Sequence, residues 1–140
     1  MWNIKVPYKK SQKEAGEWRG PTAAGCGNDA AKGGREAYFK NPVYHIALED
    51  GSDDNCLLVD LRGPKEYSVG FDLVQVSSFR NRPFERKDSG AFRPGFTFLQ
   101  LDQVPGGVYA LRPMTFVSGQ EGPFIIRVQC SCNFSIKKIQ

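Results

Sequence analysis

The chain predicts an all-β fold, an antiparallel β-sandwich of about eight strands. Three observations carry this. Short stretches alternate apolar and polar residues with a period of two, as half-buried strands do. Turn signals recur about every 8–12 residues. And 15 glycines with 9 prolines in 140 residues suit short strands and many turns better than helices.

Element by element, Trp2, Ile4 and Val6 alternate with Asn3 and Lys5, a first strand ended by Pro7. Lys9, Lys10 and Lys13 read as a basic connector, and Glu17 to Gly20 as a short strand around Trp18. Pro21 to Gly34 is rich in glycine and alanine, an irregular loop with one helical turn near Asp29. Asn41-Pro42 opens the next strand, with Tyr44, Ile46 and Leu48 on one face and Val43, His45 and Ala47 on the other. Glu49 to Asp54 reads as an acidic hairpin loop leading to a strand with Leu57, Val59 and Leu61 on one face.

Val69, Phe71 and Leu73 begin another strand. Its apolar phase then shifts to Val74 and Val76, which predicts a β-bulge between the two sets. Ser77 to Pro94 is the longest polar segment, read as a mobile loop. Phe96, Phe98 and Leu101 mark a further strand. From Val104 to Val128 the pattern is strand, turn, strand. Tyr109, Leu111 and Pro113 share a face, Ser118 to Pro123 turns, and Phe124, Ile126 and Val128 share the next face. Phe134 and Ile136 mark the last strand. Both ends read as strands, so residues 1–140 are expected to be one whole domain.

Composition narrows the function classes. A formal net charge of +4 permits an acidic partner or a membrane surface but makes no case for nucleic acid. No run of about 18 apolar residues exists, and residues 1–5 lack a signal-peptide core. The expected location is therefore intracellular, and the four cysteines (Cys26, Cys56, Cys130, Cys132) read as free thiols.

Several segments together resemble the calpain family, specifically the C2-like β-sandwich, or domain III, that follows its protease core. Trp18-Arg19-Gly20-Pro21-Thr22-Ala23-Ala24-Gly25-Cys26 resembles the family's opening tryptophan and Gly-Thr-Ala-Gly-Gly-Cys segment, with Ala24 where a second glycine is usual. Phe39-Lys40-Asn41-Pro42-Val43-Tyr44 resembles its Trp-Lys-Asn-Pro-Gln-Tyr segment, and Gly70-Phe71 the start of a central strand. The stretch from Val104 to Val128 is similar to its Pro-Gly-x-Tyr, Pro-x-Thr-Phe and Glu-Gly-x-Phe-x-Ile-Arg-Val succession. The acidic loop is shorter than in conventional calpains and no EF-hand pattern follows. The resemblance thus points to the atypical, PalB-like branch with two such domains in tandem, and to the distal one. It implies a cysteine protease as parent, with cytoplasm, nucleus and endosomal membranes as places of action. It also implies contacts with neighbouring domains and protein substrates.

Within this chain, catalysis has little to work with. A papain-type site joins a cysteine, a histidine and an orienting side chain. The single histidine, His45, lies inside a strand, so no catalytic residue is assigned. Cys130-Ser131-Cys132 lacks the spacing and the second pair of a zinc site. No cofactor is expected.

Two loops are the candidates for binding. Glu49, Asp50, Asp53 and Asp54 form the acidic one. Calcium takes 6–8 oxygens from several loops, so Asp50, Asp53 and Asp54 are weak metal candidates, ranked below a solvated tip and below an interdomain contact suggested by the family. Arg80, Arg82, Arg86, Lys87 and Arg93 form the basic one, interleaved with Phe79, Phe84 and Phe92. It could meet anionic lipid, at about 1 kcal/mol for each cation near the surface, or a protein partner. The plain alternative is a solvated loop whose phenylalanines tuck into the sandwich. Interleaved aromatics also suit single-stranded nucleic acid, but no RNP-like motif accompanies them.

Overall fold

The computed structural model describes residues 8–27, 34–49 and 53–140. The expected strand at Trp2–Val6 and the helical turn near Asp29 fall outside them. Among the described residues the strands are β1 (Lys10–Trp18), β2 (Tyr44–Leu48), β3 (Asn55–Arg62), β4 (Ser68–Ser78), β5 (Lys87–Asp88), β6 (Arg93–Pro94), β7 (Phe96–Val104), β8 (Gly107–Thr115), β9 (Gly122–Cys130) and β10 (Phe134–Lys138). A single 3-10 turn at Gly20–Thr22 and a short helix, α1 (Gly34–Tyr38), precede β2.

The strands form two antiparallel sheets, packed as a sandwich. One runs β1-β9-β3-β7; the other runs β10-β2-β8-β4-β5, with β6 also on β4. Eight of these strands have five or more residues, and two are two-residue rungs.

The core lies between the sheets. Tyr44, Ile46 and Leu48 enter from β2, Leu57, Val59 and Leu61 from β3, and Phe124, Ile126 and Val128 from β9. These are the apolar phases read from the sequence. Trp18, from β1, packs 4.7 Å from the Phe124 ring. Its indole N–H donates to the Pro113 carbonyl of the opposite sheet at 3.2 Å, satisfying its buried polar atom. Gly16 makes the room. A Cβ there would fall 2.5 Å from both Phe124 Cζ and Tyr44 Oη.

Four readings are corrected. Lys10 and Lys13 are not in a connector but in β1, whose register with β9 runs from Lys10↔Cys130 to Trp18↔Gly122. Backbone pairing builds this edge strand where apolar alternation is missing. Secondly, the acidic segment closes no hairpin, because β2 and β3 lie in different sheets. The same holds for β8 and β9, read as a strand–turn–strand pair. Period two reveals a strand but not its partner, and both connections cross the roughly 10 Å between the sheets.

Thirdly, the bulge in β4 falls between Gln75 and Ser77, beyond the predicted place, and Val74 and Val76 face outward. Gly107, opposite Ser78, is needed there. A Cβ on it would lie 2.1 Å from the Ser77 carbonyl oxygen. The strand marked by Phe96, Phe98 and Leu101 is present as β7, where Thr97 is buried while Phe96 and Phe98 are 38% and 46% exposed, so the aromatic phase faces solvent. Lastly, the segment after β4 is pinned to it by β5 and β6 rather than looping freely.

Candidate functional site

The loops after β2 and β4 lie at the same end of the sandwich. Asp53 of the acidic loop places Oδ1 3.4 Å from Nη1 of Arg80 in the basic loop. The two candidate loops therefore meet. Glu49 and Asp54 are exposed beside this junction, and Asp50 lies outside the described residues.

Phe84 anchors the basic loop. It packs against the core and meets the Tyr109 ring edge-on at 5.8 Å. Both amide ends of Gln75 hold the same loop. Its Nε2 donates to the Arg82 carbonyl at 2.8 Å, and its Oε1 accepts from Phe84 N–H at 3.0 Å. Tyr109 is fully buried, and its hydroxyl donates to the Pro105 carbonyl at 2.5 Å. Burial pushes its phenol up to about 12. Phe79, in contrast, is 59% exposed beside Arg80.

The five cations of the basic segment do not form one patch. Arg80 and Arg82 stay at the loop end, exposed. Lys87 sits 5.5 Å from the Phe84 ring centre and 4.0 Å from Glu85. Arg93 belongs to β6 opposite Val69. Arg86 is bound within the molecule, 3.1 Å from buried Asp72 and 3.3 Å from Asp88.

Asp72 is the centre of a second cluster, on the outer face of the six-stranded sheet. Its Oδ2 also accepts the Tyr38 hydroxyl, and the Arg112 guanidinium stacks on Tyr38 and Phe39 at 4.7 and 5.3 Å. Burial, and then the bond to Asp72, raise the Tyr38 phenol above its usual range. Burial pulls the Arg86 guanidinium down, but Tyr38 and Asp72 more than offset this and leave it raised. The cluster clamps α1 and the loop onto β4. Its sequence signal is the lone charged residue in the run from Val69 to Val76.

The groups that could carry catalysis or metal binding are spread out. His45 lies in β2 opposite Ala110 and Lys137, whereas Cys56 and Cys130 belong to the other sheet. Cys26 donates its thiol to the Phe116 carbonyl. Cys130 and Cys132 bring their sulfurs to 3.6 Å as thiols. Burial pushes Cys130 up to about 12. Among the described residues no three His, Cys, Asp or Glu side chains stand together as a metal site.

The segments that carry the family resemblance converge at the opposite end, and they do so as scaffold. Asn41 is fully buried, and its amide donates to the Gly25 and Tyr38 carbonyls at 2.7 and 2.9 Å. Gly119 N–H donates to the Ala23 carbonyl at 2.7 Å. Gly25, at φ +75°, lies so close to Ser118 that a Cβ would be 2.6 Å from its nitrogen. A side chain would be both strained and obstructed there.

No protein-family model matches the chain. Curated relatives do. The chain is 41% identical over 126 residues to calpain-7 of Sus scrofa, covering 88% of this chain and 14% of that protein. It is 38% identical over 140 residues to calpain-7 of Homo sapiens, covering 98% and 16%. To the calpain-2 catalytic subunit of Homo sapiens it is 30% identical over 172 residues, covering 94% and 22%. The chain therefore spans about one seventh of the length of the calpain-7 proteins it matches. Among solved structures, a chain of tomato aspermy virus aligns at a TM-score of 0.35 with 10% identity over 95% of this chain and 82% of that one, too loose a likeness to carry an argument. Long alignments to several calpains, on an antiparallel sandwich whose shared segments are its buried scaffold, lead to one conclusion: the chain is a calpain-family domain, consistent with the calpain-7 branch.

Proposed function

We propose that this chain is a non-catalytic, C2-like interaction domain of an intracellular, cytoplasmic calpain-type cysteine protease. The parent would hydrolyse peptide bonds in protein substrates with a catalytic cysteine outside these residues. The working surface is the end where the acidic and basic loops meet, and it docks neighbouring domains of the same polypeptide. The observation that carries this reading is the Asp53–Arg80 ion pair at 3.4 Å, which joins the two loops into one mixed-charge surface beside exposed Arg82, Glu49 and Asp54. Such surfaces set orientation and partner choice more than raw affinity.

The test is R82E in the full-length protease. Arg82 is exposed, so the melting temperature of the isolated chain should stay put while cleavage of protein substrates falls several-fold. Unchanged cleavage would remove the docking role. Peptidase activity in the isolated chain, lost on alkylation, would remove the non-catalytic assignment.

One observation favours a second reading, a peripheral module for anionic phospholipid. Val76 and Phe79 are 53% and 59% exposed beside Arg80 and Arg82, a basic surface with protruding apolar side chains. Co-sedimentation with phosphatidylserine vesicles, with and without Ca²⁺, separates the two. No binding at physiological salt excludes the lipid reading.

A further inference from the structure

Strand β7 is an edge strand guarded only near its end, where its register with β3 shifts. Natural edges carry charges, prolines or short lengths that prevent pairing with another chain. The other edges have them. β1 carries Lys10, Lys13, Glu14 and Glu17; β10 carries Lys137 and Lys138; β5 and β6 are two residues each. β7 has nine residues, and from Phe96 to Leu101 it has neither a charge nor a proline. Among the described residues the backbone of Phe96–Leu101 pairs with β3 alone, and the register shifts beyond Leu101.

Two lone charges flank this edge. Arg62, at the end of β3, lies opposite Phe96, its guanidinium 5.3 Å from that ring. Asp102 is exposed near the other end of β7. Among the described residues neither has an ion-pair partner. Six residues of strand separate Phe96 from Asp102, about 20 Å, so the two cannot reach each other within one molecule.

We propose that β7 pairs antiparallel with β7 of a second copy of this chain, about a two-fold axis at Leu99. That register sets Phe98 opposite Gln100 of the second copy and Phe96 opposite its Asp102. The Arg62 guanidinium, already lying on Phe96, then meets that carboxylate. The axis makes the contact twice. Beside Arg62 opens a hollow of about 550 Å³, lined also by Lys65, Pro94 and Phe96, which leaves space for the incoming side chain. Leu99 and Leu101 pack only at the margin of the core. Leu99 would be covered by its counterpart and Leu101 would face Thr97 of the second copy, and the two four-stranded sheets would become one of eight. A self-complementary patch of this kind is what a two-fold dimer requires. The cationic edge of β10, in contrast, would repel itself.

The experiment is sedimentation velocity on the 140-residue chain and three variants, R62E, D102R and R62E/D102R. All three change exposed side chains, and circular dichroism checks their folding. The wild type should dimerise at high micromolar concentration. Each single reversal sets like charges together twice and should weaken the dimer at least about tenfold, while the double reversal restores it. A wild type that stays monomeric overturns the proposal. So does a dimer indifferent to the single reversals, or a double variant that remains as weak as the singles.

Discussion

The carboxylate of Asp72 and the guanidinium of Arg86, 3.1 Å apart, fasten the segment after β4 to the outer face of its sheet. Asp72 is 1% exposed, whereas the Arg86 side chain is about half exposed. The pair is thus a buried anion held by a cation that reaches in from solvent, with the Tyr38 hydroxyl as a second donor.

Removing Arg86 leaves that carboxylate buried with fewer donors. R86M is expected to cost about 1–3 kcal/mol, less than a fully buried pair because solvent screens the cation. Urea denaturation measures it. A change below about 0.5 kcal/mol would mean that Tyr38 alone satisfies Asp72.

Stability should fall on the alkaline side. Cys130 is raised from 9.0 to about 12 and Tyr109 from 10.0 to about 12, each chiefly by burial. Both are neutral when protonated. The folded state holds these protons more tightly than the unfolded one, so their contribution is complete below pH 9 and is lost as pH rises from 9 to 12. Urea midpoints across that window should decline, and the Tyr109→Phe variant should decline less steeply. A midpoint that stays level would refute the assignment.

The four thiols should react unequally. Cys130 has no exposed surface and a raised pKa, whereas Cys26, Cys56 and Cys132 are half-buried. Iodoacetamide labelling of native protein, read by peptide mass spectrometry, should modify those three well before Cys130. Equal labelling of Cys130 and Cys132 would show that the end of β9 opens readily.

Gly16 is a steric requirement. A methyl group there would lie within 2.8 Å of two atoms of the Phe124 ring and 2.5 Å from the Tyr44 oxygen. G16A should destabilise by about 1–3 kcal/mol through overpacking. Calorimetry that finds G16A as stable as the parent would mean the aromatic cluster can shift without cost.

What could be read in advance depended on which force built each element. β2, β3 and β9 announce themselves because each buries one apolar phase: Tyr44/Ile46/Leu48, Leu57/Val59/Leu61, Phe124/Ile126/Val128. β1 does not. Its inward positions hold Lys10, Gln12, Glu14 and Gly16 before Trp18, and it is held mainly by hydrogen bonds to β9. Phe96 and Phe98 mark β7 from its other side, as aromatic residues on the solvent face of a strand whose buried position is Thr97. Of the candidate site, the two charged loops were visible as composition. Their junction at Asp53 and Arg80 was not, because 27 residues separate the pair in sequence.

By itself, then, the sequence determined the all-β class, most core positions and the family, since burial phase and turn residues are local properties and the shared segments are written in order along the chain. Only the tertiary structure decided which strands pair, that β2 and β3 and likewise β8 and β9 part into different sheets, and which edge is left open. Those outcomes depend on covering two apolar faces at once. That is a condition on the whole chain, which no window of it contains.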